Sequence, residues 1–187
     1  MRLAIVTTNE DKYHEISSAL RAAGIETEHV SLELEEVGDD IRKIAADKAK
    51  QAFADLKRPL LVDDTGVFFD ALGAWPGVRA KRVFKEIGYD GLFDRLEGKD
   101  RSAHFETVIA YADAKGKVRL FSGTLRGTIA EDIAPVHDRG SFIYERIFIP
   151  EGYTIRGSQM SFEKKAEISH RTKATKAFVE WYTRERV

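Results

Sequence analysis

The chain has 187 residues, of which 43% are hydrophobic and 33% charged, so it can bury a sizeable core and is not biased towards disorder. Its formal net charge of -1 provides no broad basic surface, which argues against nucleic acid as the main partner. Cysteine is absent, which excludes thiol nucleophiles, disulfides and cysteine-based zinc sites. Because no apolar run reaches membrane-spanning length, we expect a single cytoplasmic domain over residues 1–187 that does not engage a membrane.

The first predicted elements are a buried strand over residues 2–7 and an amphipathic helix over residues 10–23. Thr7, Thr8, Asn9 and Lys12 lie at the hinge between them. Asn9 suits a helix N-cap, which is a purely structural explanation. The same hinge exposes backbone N–H groups that can hold a phosphate, with Lys12 as a counter-charge. Both interpretations stay open at this point.

A second strand is predicted over residues 26–32 and a helix over residues 40–56, joined by the acidic connection "ELEEVGDD". A carboxylate of this connection could help to bind Mg²⁺, which prefers one or two protein carboxylates together with water and phosphate oxygens. The sequence does not choose among its five acidic residues. Lys48, on the following helix, is expected to be an ordinary surface lysine.

The stretch "LLVDDTG" places Asp63 and Asp64 directly after a continuous apolar run, which indicates a strand buried on both faces. Side chains alternate across a strand, so we expect only one of the two carboxylates to face any single site. A charge at the end of a buried strand needs a partner, and strand ends are where α/β proteins bind ligands. Capping of the following turn is the structural alternative.

From residue 102 to 133 the pattern is typical of a β-hairpin or meander, and another strand is predicted over residues 141–149. Phe142 and Tyr144 in that strand suit either a core or a base-stacking role. A last helix is predicted to begin after Ser169, where His170 and Arg171 follow a helix N-terminus that could meet a polar ligand. The element order predicts a mixed α/β fold, with helices packed on a long, partly antiparallel sheet.

Four segments in this order, "TTNEDK", "VDDTGVFFDALGAWPGVRAKR", "FIYERIF" and "KKAEISHRTKA", resemble the inosine triphosphate (ITP/XTP) pyrophosphatase family over nearly the whole chain. The resemblance implies an elongated central sheet flanked by helices, with a nucleotide-binding cleft between two lobes. It also implies a homodimer that hydrolyses a nucleoside triphosphate, with Mg²⁺, to the monophosphate and pyrophosphate.

The resemblance assigns a role to each matching residue. Asp64 would be the catalytic carboxylate and would bind Mg²⁺ together with Glu36. The remaining matches would bind substrate: the triphosphate at Thr7, Thr8, Asn9, Lys12, Lys48 and Thr65, the purine at Phe142, Tyr144 and Glu145, and the rest of the nucleotide at Lys165, His170 and Arg171.

Two departures from the family pattern affect specificity. Thr8 replaces a glycine in the phosphate loop, and the family's Phe-Gly-Tyr/Trp-Asp-Pro is replaced over residues 142–146. The resemblance implies a pyrophosphatase for the non-canonical purine triphosphates ITP, dITP and XTP. We keep two alternatives to it: a nucleotide-binding sensor module without turnover, and a pyrophosphatase of broader or other nucleotide specificity. Nucleic-acid binding ranks last because of the charge balance.

Overall fold

The computed structural model describes residues 2–73, 75–135 and 143–185. Within these residues the strands are β1 (Leu3–Val6), β2 (Thr27–Val30), β3 (Leu60–Phe69), β4 (Trp75–Gly77), β5 (Ser102–Ala112), β6 (Val118–Ile129) and β7 (Phe148–Pro150). The helices are α1 (Glu10–Ala22), α2 (Ile41–Leu56), α3 (Ala80–Leu96), α4 (Phe162–Ile168) and α5 (His170–Arg184). No helix in the described parts of the chain combines the length and apolar character needed to cross a bilayer. The predicted mixed α/β class is confirmed.

The first of two compact units comprises the chain up to Thr65, residues Thr107–Gly123 and the segment from His170 onwards. Its strands lie in the order β2-β1-β3-β5-β6, and β1 pairs in parallel with both β2 and β3. The apolar residues of β1 and the start of β3 are buried without alternation, as predicted for strands covered on both faces. Their side chains share one core with α1 and α5, in which Ile16, Leu61 and Phe178 are almost fully buried.

The second unit comprises residues Gly66–Glu106 and Thr124–Ser169. Here β4 pairs antiparallel with the end of β3, and β7 pairs antiparallel with the end of β6. The core of this unit contains Phe69, Leu92, Leu96 and Phe148. Helix α3, which belongs to this unit, had no clear sequence signature, because Gly88 interrupts it with a non-helical conformation.

The predicted strand over residues 141–149 is wrong for most of its length. Ile143–Arg146 forms a 3₁₀ turn, and the strand β7 covers only Phe148–Pro150. The turn is fixed by side-chain bonds that the aromatic pattern does not reveal: the Tyr144 hydroxyl donates to Ala80 O at 2.8 Å, and Arg146 Nε donates to Ala134 O at 3.0 Å. Phe142 lies outside the described residues.

The last helix begins at His170, as predicted, but sequence reasoning missed α4 immediately before it. Ser161 caps α4 by accepting a hydrogen bond from Lys164 N at 3.3 Å. None of its residues is buried, so α4 lacks the apolar periodicity by which a helix is recognised.

Candidate active site

Asp63 and Asp64 turn to different partners within the first unit. Asp64 Oδ1 lies 3.1 Å from Lys48 Nζ, whereas Asp63 Oδ2 lies 2.9 Å from Lys12 Nζ. Both carboxylates are buried. The expected divergence of the two side chains is therefore confirmed, and each charge has the cationic partner that its burial requires.

Lys48 lies at the centre of an acidic group. Its Nζ contacts Glu36 Oε1 at 2.8 Å, Asp64 Oδ1 at 3.1 Å and the backbone oxygen of Asp63 at 3.2 Å. The residue is only 9% exposed, so the expectation of a surface lysine is wrong. Lys48 lies on the inward face of α2 with Ala45 and Ala49. Although burial opposes its charge, the surrounding carboxylates raise the pKa of Lys48.

The carboxyl group of Asp64 has a pKa close to neutral pH. Burial is the largest influence and, with the nearby charge of Glu36, it raises the pKa of Asp64 to about 6 against the attraction of Lys48. Lys48 is shared between carboxylates, and its single charge does not offset the burial of Asp64. A carboxyl group with this pKa can exchange a proton with water under physiological conditions.

Asp63 has the opposite electrostatic environment. Burial alone would raise its pKa, but the charges of Lys12 and Arg171 hold the pKa of Asp63 well below its ordinary value. Arg171 Nε lies 3.5 Å from the same Oδ2 atom that Lys12 contacts. Asp63 is therefore a permanent anion that holds two cations in place.

The hinge between β1 and α1 is built as a helix cap. Asn9 Oδ1 accepts a hydrogen bond from Lys12 N at 3.2 Å, and Thr7 Oγ1 accepts one from Asn9 N at the same distance. The N-cap interpretation is confirmed. Thr8 is exposed, and Lys12 extends to Asp63. Phosphate binding by this hinge stays a prediction that its geometry allows.

The start of α5 joins this group. Arg171, only 4% exposed, pairs with Glu15 of α1, and its Nη2 lies 3.4 Å from Thr65 Oγ1. The Nδ1 atom of His170 lies 2.6 Å from the hydroxyl of Thr107. Burial of the ring and the charges of Arg171 and Lys12 hold the pKa of His170 well below its ordinary value, which keeps the imidazole neutral.

Sequence reasoning missed Glu15 and Thr107. Glu15 has no signal of its own, since it is one of several charged residues on α1. Thr107 had a usable signal in the sequence: it is a hydroxyl residue directly before the apolar run over residues 108–112, and the structure shows it buried. A buried hydroxyl in such a run indicates a hydrogen-bonded partner.

The remaining predicted residues belong to the second unit. Glu145 Oε2 and Lys165 Nζ form an ion pair at 3.2 Å. The ring of Tyr144 is 5% exposed and packs edge-on against Phe69 and Phe84. This placement favours the core alternative for Tyr144 over a role as a free stacking surface.

The first unit has oxygen donors suited to a divalent cation. Glu36 and Asp64 already converge on one positive charge, the ammonium group of Lys48. Two carboxylates fit Mg²⁺, which takes few protein ligands and completes its shell with water and phosphate oxygens. Among the described residues no group of three or more His, Asp or Glu side chains could hold a metal ion.

The fold is a mixed α/β sheet in which Asp63 and Asp64 lie within β3, so the prediction that the strand ends before these two residues is wrong. The comparison with known families is more specific. Residues 3–181 match the model of the Ham1 family, and the chain belongs to this family.

Curated relatives and solved structures agree with this assignment. A dITP/XTP pyrophosphatase of Methanopyrus kandleri is 40% identical over 184 residues, covering 97% of this chain and 96% of that protein. An inosine triphosphate pyrophosphatase of Yarrowia lipolytica is 38% identical, with coverages of 93% and 92%. The resemblance found in the sequence is confirmed.

Two solved structures support the fold. A HAM1 protein from Coxiella burnetii superposes with a TM-score of 0.83 at 24% identity, covering 98% of this chain and all of that chain (100%). A nucleoside-triphosphatase / dITP/XTP pyrophosphatase from Mycobacterium abscessus superposes with a TM-score of 0.75 at 28% identity, with coverages of 95% and 97%.

Proposed function

We propose that the protein hydrolyses non-canonical purine nucleoside triphosphates, namely ITP, dITP and XTP, to the monophosphate and pyrophosphate. The names of the relatives support this substrate class. The observation that carries the chemistry is the pairing of Asp64 with Glu36 around one positive charge, beside a separate group of cations held by Asp63. The reaction would remove deaminated purines from the nucleotide pool.

In this proposal the hinge binds the triphosphate. The N–H groups at the start of α1 lie at the positive end of the helix dipole, and Lys12 adds a positive charge. Asp63 keeps Lys12 in place before substrate arrives. Thr65 and Lys48 lie next to Asp63 and Asp64 and supply further donors for phosphate oxygens.

Asp64 accepts a proton from the attacking water. Its raised pKa suits a general base near neutral pH, because a base of this strength is largely ionised above pH 6 yet can still take up a proton. Glu36 and Asp64 would hold Mg²⁺, which when bound neutralises phosphate charge and lowers the pKa of water.

Base selection would depend on hydrogen-bond donors. Hypoxanthine and xanthine carry an oxygen acceptor at position 6, whereas adenine carries an amino group there. N–H groups of His170 and Arg171 at the start of α5 would donate to the oxygen and repel the amino group. The family resemblance also assigns Glu145, Lys165 and Phe142 to nucleotide binding, and it supports a cytoplasmic homodimer as the working form.

The proposal is tested by incubating the purified protein with Mg²⁺ and, separately, ITP, XTP, dITP, ATP, GTP and UTP, with products separated by chromatography. We expect monophosphate and pyrophosphate from the first three and little from the others. Asp64→Asn should lower the rate by about 100-fold or more, because the amide cannot accept the proton. Asp47→Asn, which changes an exposed aspartate of α2, is the matched control.

Each contrary outcome selects one alternative. Full activity of Asp64→Asn would refute the assigned chemistry. Retained ITP binding without pyrophosphate release would indicate the sensor module, and comparable turnover of all six nucleotides would indicate a pyrophosphatase of broad specificity.

A further inference from the structure

Thr107 is a buried polar residue to which the proposed reaction assigns no role. It lies on β5, it is 0% exposed, and Val108 and Ile109, which follow it, are equally buried. A hydroxyl group in such surroundings costs free energy unless it is hydrogen-bonded. Its hydrogen-bond partners therefore indicate what it does.

Those partners are two residues of the candidate site. Thr107 Oγ1 lies 2.7 Å from Thr65 Oγ1 and 2.6 Å from His170 Nδ1. Thr65 follows the two aspartates of β3, and His170 begins α5. Thr107 thus joins a predicted phosphate contact to a predicted base contact through a continuous line of hydrogen bonds.

The protons in this line can be arranged in two ways, because each hydroxyl group carries one proton. In the first, Thr65 donates to Thr107 and Thr107 donates to His170 Nδ1, which leaves the ring proton on Nε2. In the second, His170 Nδ1–H donates to Thr107, Thr107 donates to Thr65, and the nearest protein acceptor for the proton of Thr65 is Asp63.

The distances favour the first arrangement. In the first arrangement each hydroxyl proton has an acceptor within hydrogen-bonding distance, at 2.7 Å for Thr65 and 2.6 Å for Thr107. The second arrangement needs a bond from Thr65 to Asp63 Oδ2, but these atoms are 3.4 Å apart, beyond the range of about 2.5 to 3.0 Å for O–H donors.

We propose that Thr107 is a positioning residue that fixes the Nε2–H form of His170, so that the ring offers a hydrogen-bond donor to a carbonyl oxygen of the base. The part that concerns the base rests on the proposed function. A neutral imidazole carries its proton on one nitrogen, so the bond at Nδ1 determines what Nε2 can do. With the proton on Nε2, a 6-oxopurine gains a partner and a 6-aminopurine meets a second donor.

The first test reads the imidazole directly in the free protein. Long-range ¹H–¹⁵N correlation spectra distinguish the two tautomers, and a His170→Gln variant identifies the signal. We expect the Nε2–H form in the wild type and in Thr107→Ser, which keeps the hydroxyl group. Thr107→Val has nearly the same shape without the hydroxyl, and it should show a mixture of the two tautomers, because no group then donates to Nδ1.

The second test measures kcat/KM for ITP and for ATP in the same variants. Thr107→Val should reduce the ITP preference by about tenfold, the effect of one well-placed hydrogen bond, and Thr107→Ser should restore it. Thr175→Val is the matched control. Thr175 is equally buried on α5, but its hydroxyl donates to Arg171 O within the helix at 2.8 Å. It should leave the ratio and the tautomer unchanged.

An Nδ1–H form in the wild type would overturn the proposal, as would a Thr107→Val variant that keeps both the tautomer and the ITP preference. If Thr107→Ser and Thr107→Val lose the ITP preference equally, Thr107 acts through packing alone, and this result would also overturn the proposal. If Thr107→Val does not fold, Thr107→Ala supplies the same loss of the hydroxyl. If the wild type does not hydrolyse ITP, the proposed function fails, while the spectra still decide the role of Thr107.

Discussion

The adjacent residues Asp63 and Asp64 form ion pairs with two different lysines. Lys12 stands against Asp63, which Arg171 also contacts, so this carboxylate stays ionised. Lys48 contacts Asp64 but is shared with Glu36, so it does not offset the burial that raises the pKa of Asp64 to about 6. Neighbouring residues of the same type thus acquire different chemistry from their environments, and only Asp64 has the pKa that suits a general base.

Glu36 is the residue whose assignment can be tested most sharply, since the sequence left five acidic residues as candidates. We predict that Glu36→Gln raises the Mg²⁺ concentration for half-maximal ITP hydrolysis by about tenfold or more, because even outer partners of a metal site contribute that much. The measurement is a Mg²⁺ titration of the initial rate.

Glu35→Gln is the matched control for this prediction. It removes the same charge from the neighbouring position. There the backbone N–H of Glu35 donates to Gln51 Oε1 at 2.9 Å, and Gln51 Nε2 donates to the backbone oxygen of Glu35 at 3.1 Å. An equal shift in both variants would mean that the general negative charge of the loop, and not Glu36 as a ligand, governs Mg²⁺ binding.

At the scale of elements, a close approach between β6 and α5 places the residues that begin that helix. A Cβ atom added to Gly123 would lie 2.2 Å from His170 O and 2.5 Å from Ala174 N. These are backbone atoms of the first turns of α5, and they cannot move without moving the helix. Glycine at position 123 therefore lets α5 lie against β6.

We predict that Gly123→Ala displaces the start of α5, lowers the free energy of unfolding by about 1–3 kcal/mol and reduces ITP hydrolysis, because His170 and Arg171 move with the helix. Urea unfolding and initial rates measure the two effects. Ser122→Ala, at the exposed neighbouring position of β6, should change neither. Wild-type activity and stability in Gly123→Ala would show that this close approach does not position the site.

The elements also show which parts of the fold were predictable. The strands and helices around residues 3–30 and 41–65 followed from uninterrupted apolar runs and helical periodicity. Ile143–Arg146 did not, because distant backbone oxygens of Ala80 and Ala134 hold that turn. Such bonds depend on the completed fold and leave no local pattern.

The same distinction applies to the candidate site. Asp64 was identifiable because two adjacent carboxylates directly after a continuous apolar run are unusual, although β3 continues through them to Phe69. Lys48 was misjudged because its burial depends on the position of Glu36 and Asp64, which are 12 and 16 residues away along the chain. Thr107 forms hydrogen bonds with Thr65 and His170, which are 42 and 63 positions away along the chain, and no sequence spacing reveals contacts at such separations.

At the scale of the whole molecule, stability depends on two titrating groups that oppose each other. The pKa of Asp64 is raised from 3.8 to about 6 on folding, so between these values the folded state binds more protons, and stability falls as pH rises. The pKa of His170 is lowered from 6.5, so below that value the unfolded state binds more protons, and stability rises with pH. Asp63 changes the stability mainly at lower pH, because its pKa in the folded state is held under its ordinary value of 3.8.

We therefore predict a shallow pH dependence of stability between about pH 4 and 6 in metal-free buffer, and a steep one when either group is removed. Asp64→Asn leaves the effect of His170, so its free energy of unfolding should rise with pH by up to about 1.4 kcal/mol per pH unit. His170→Gln leaves the effect of Asp64, so its free energy of unfolding should fall over the same range. Urea unfolding at half-unit pH intervals with EDTA measures both slopes, with His14→Gln as the histidine control. The two variants must deviate from the wild type in opposite directions, since slopes of the same sign would mean that the burial of one group does not favour its neutral form.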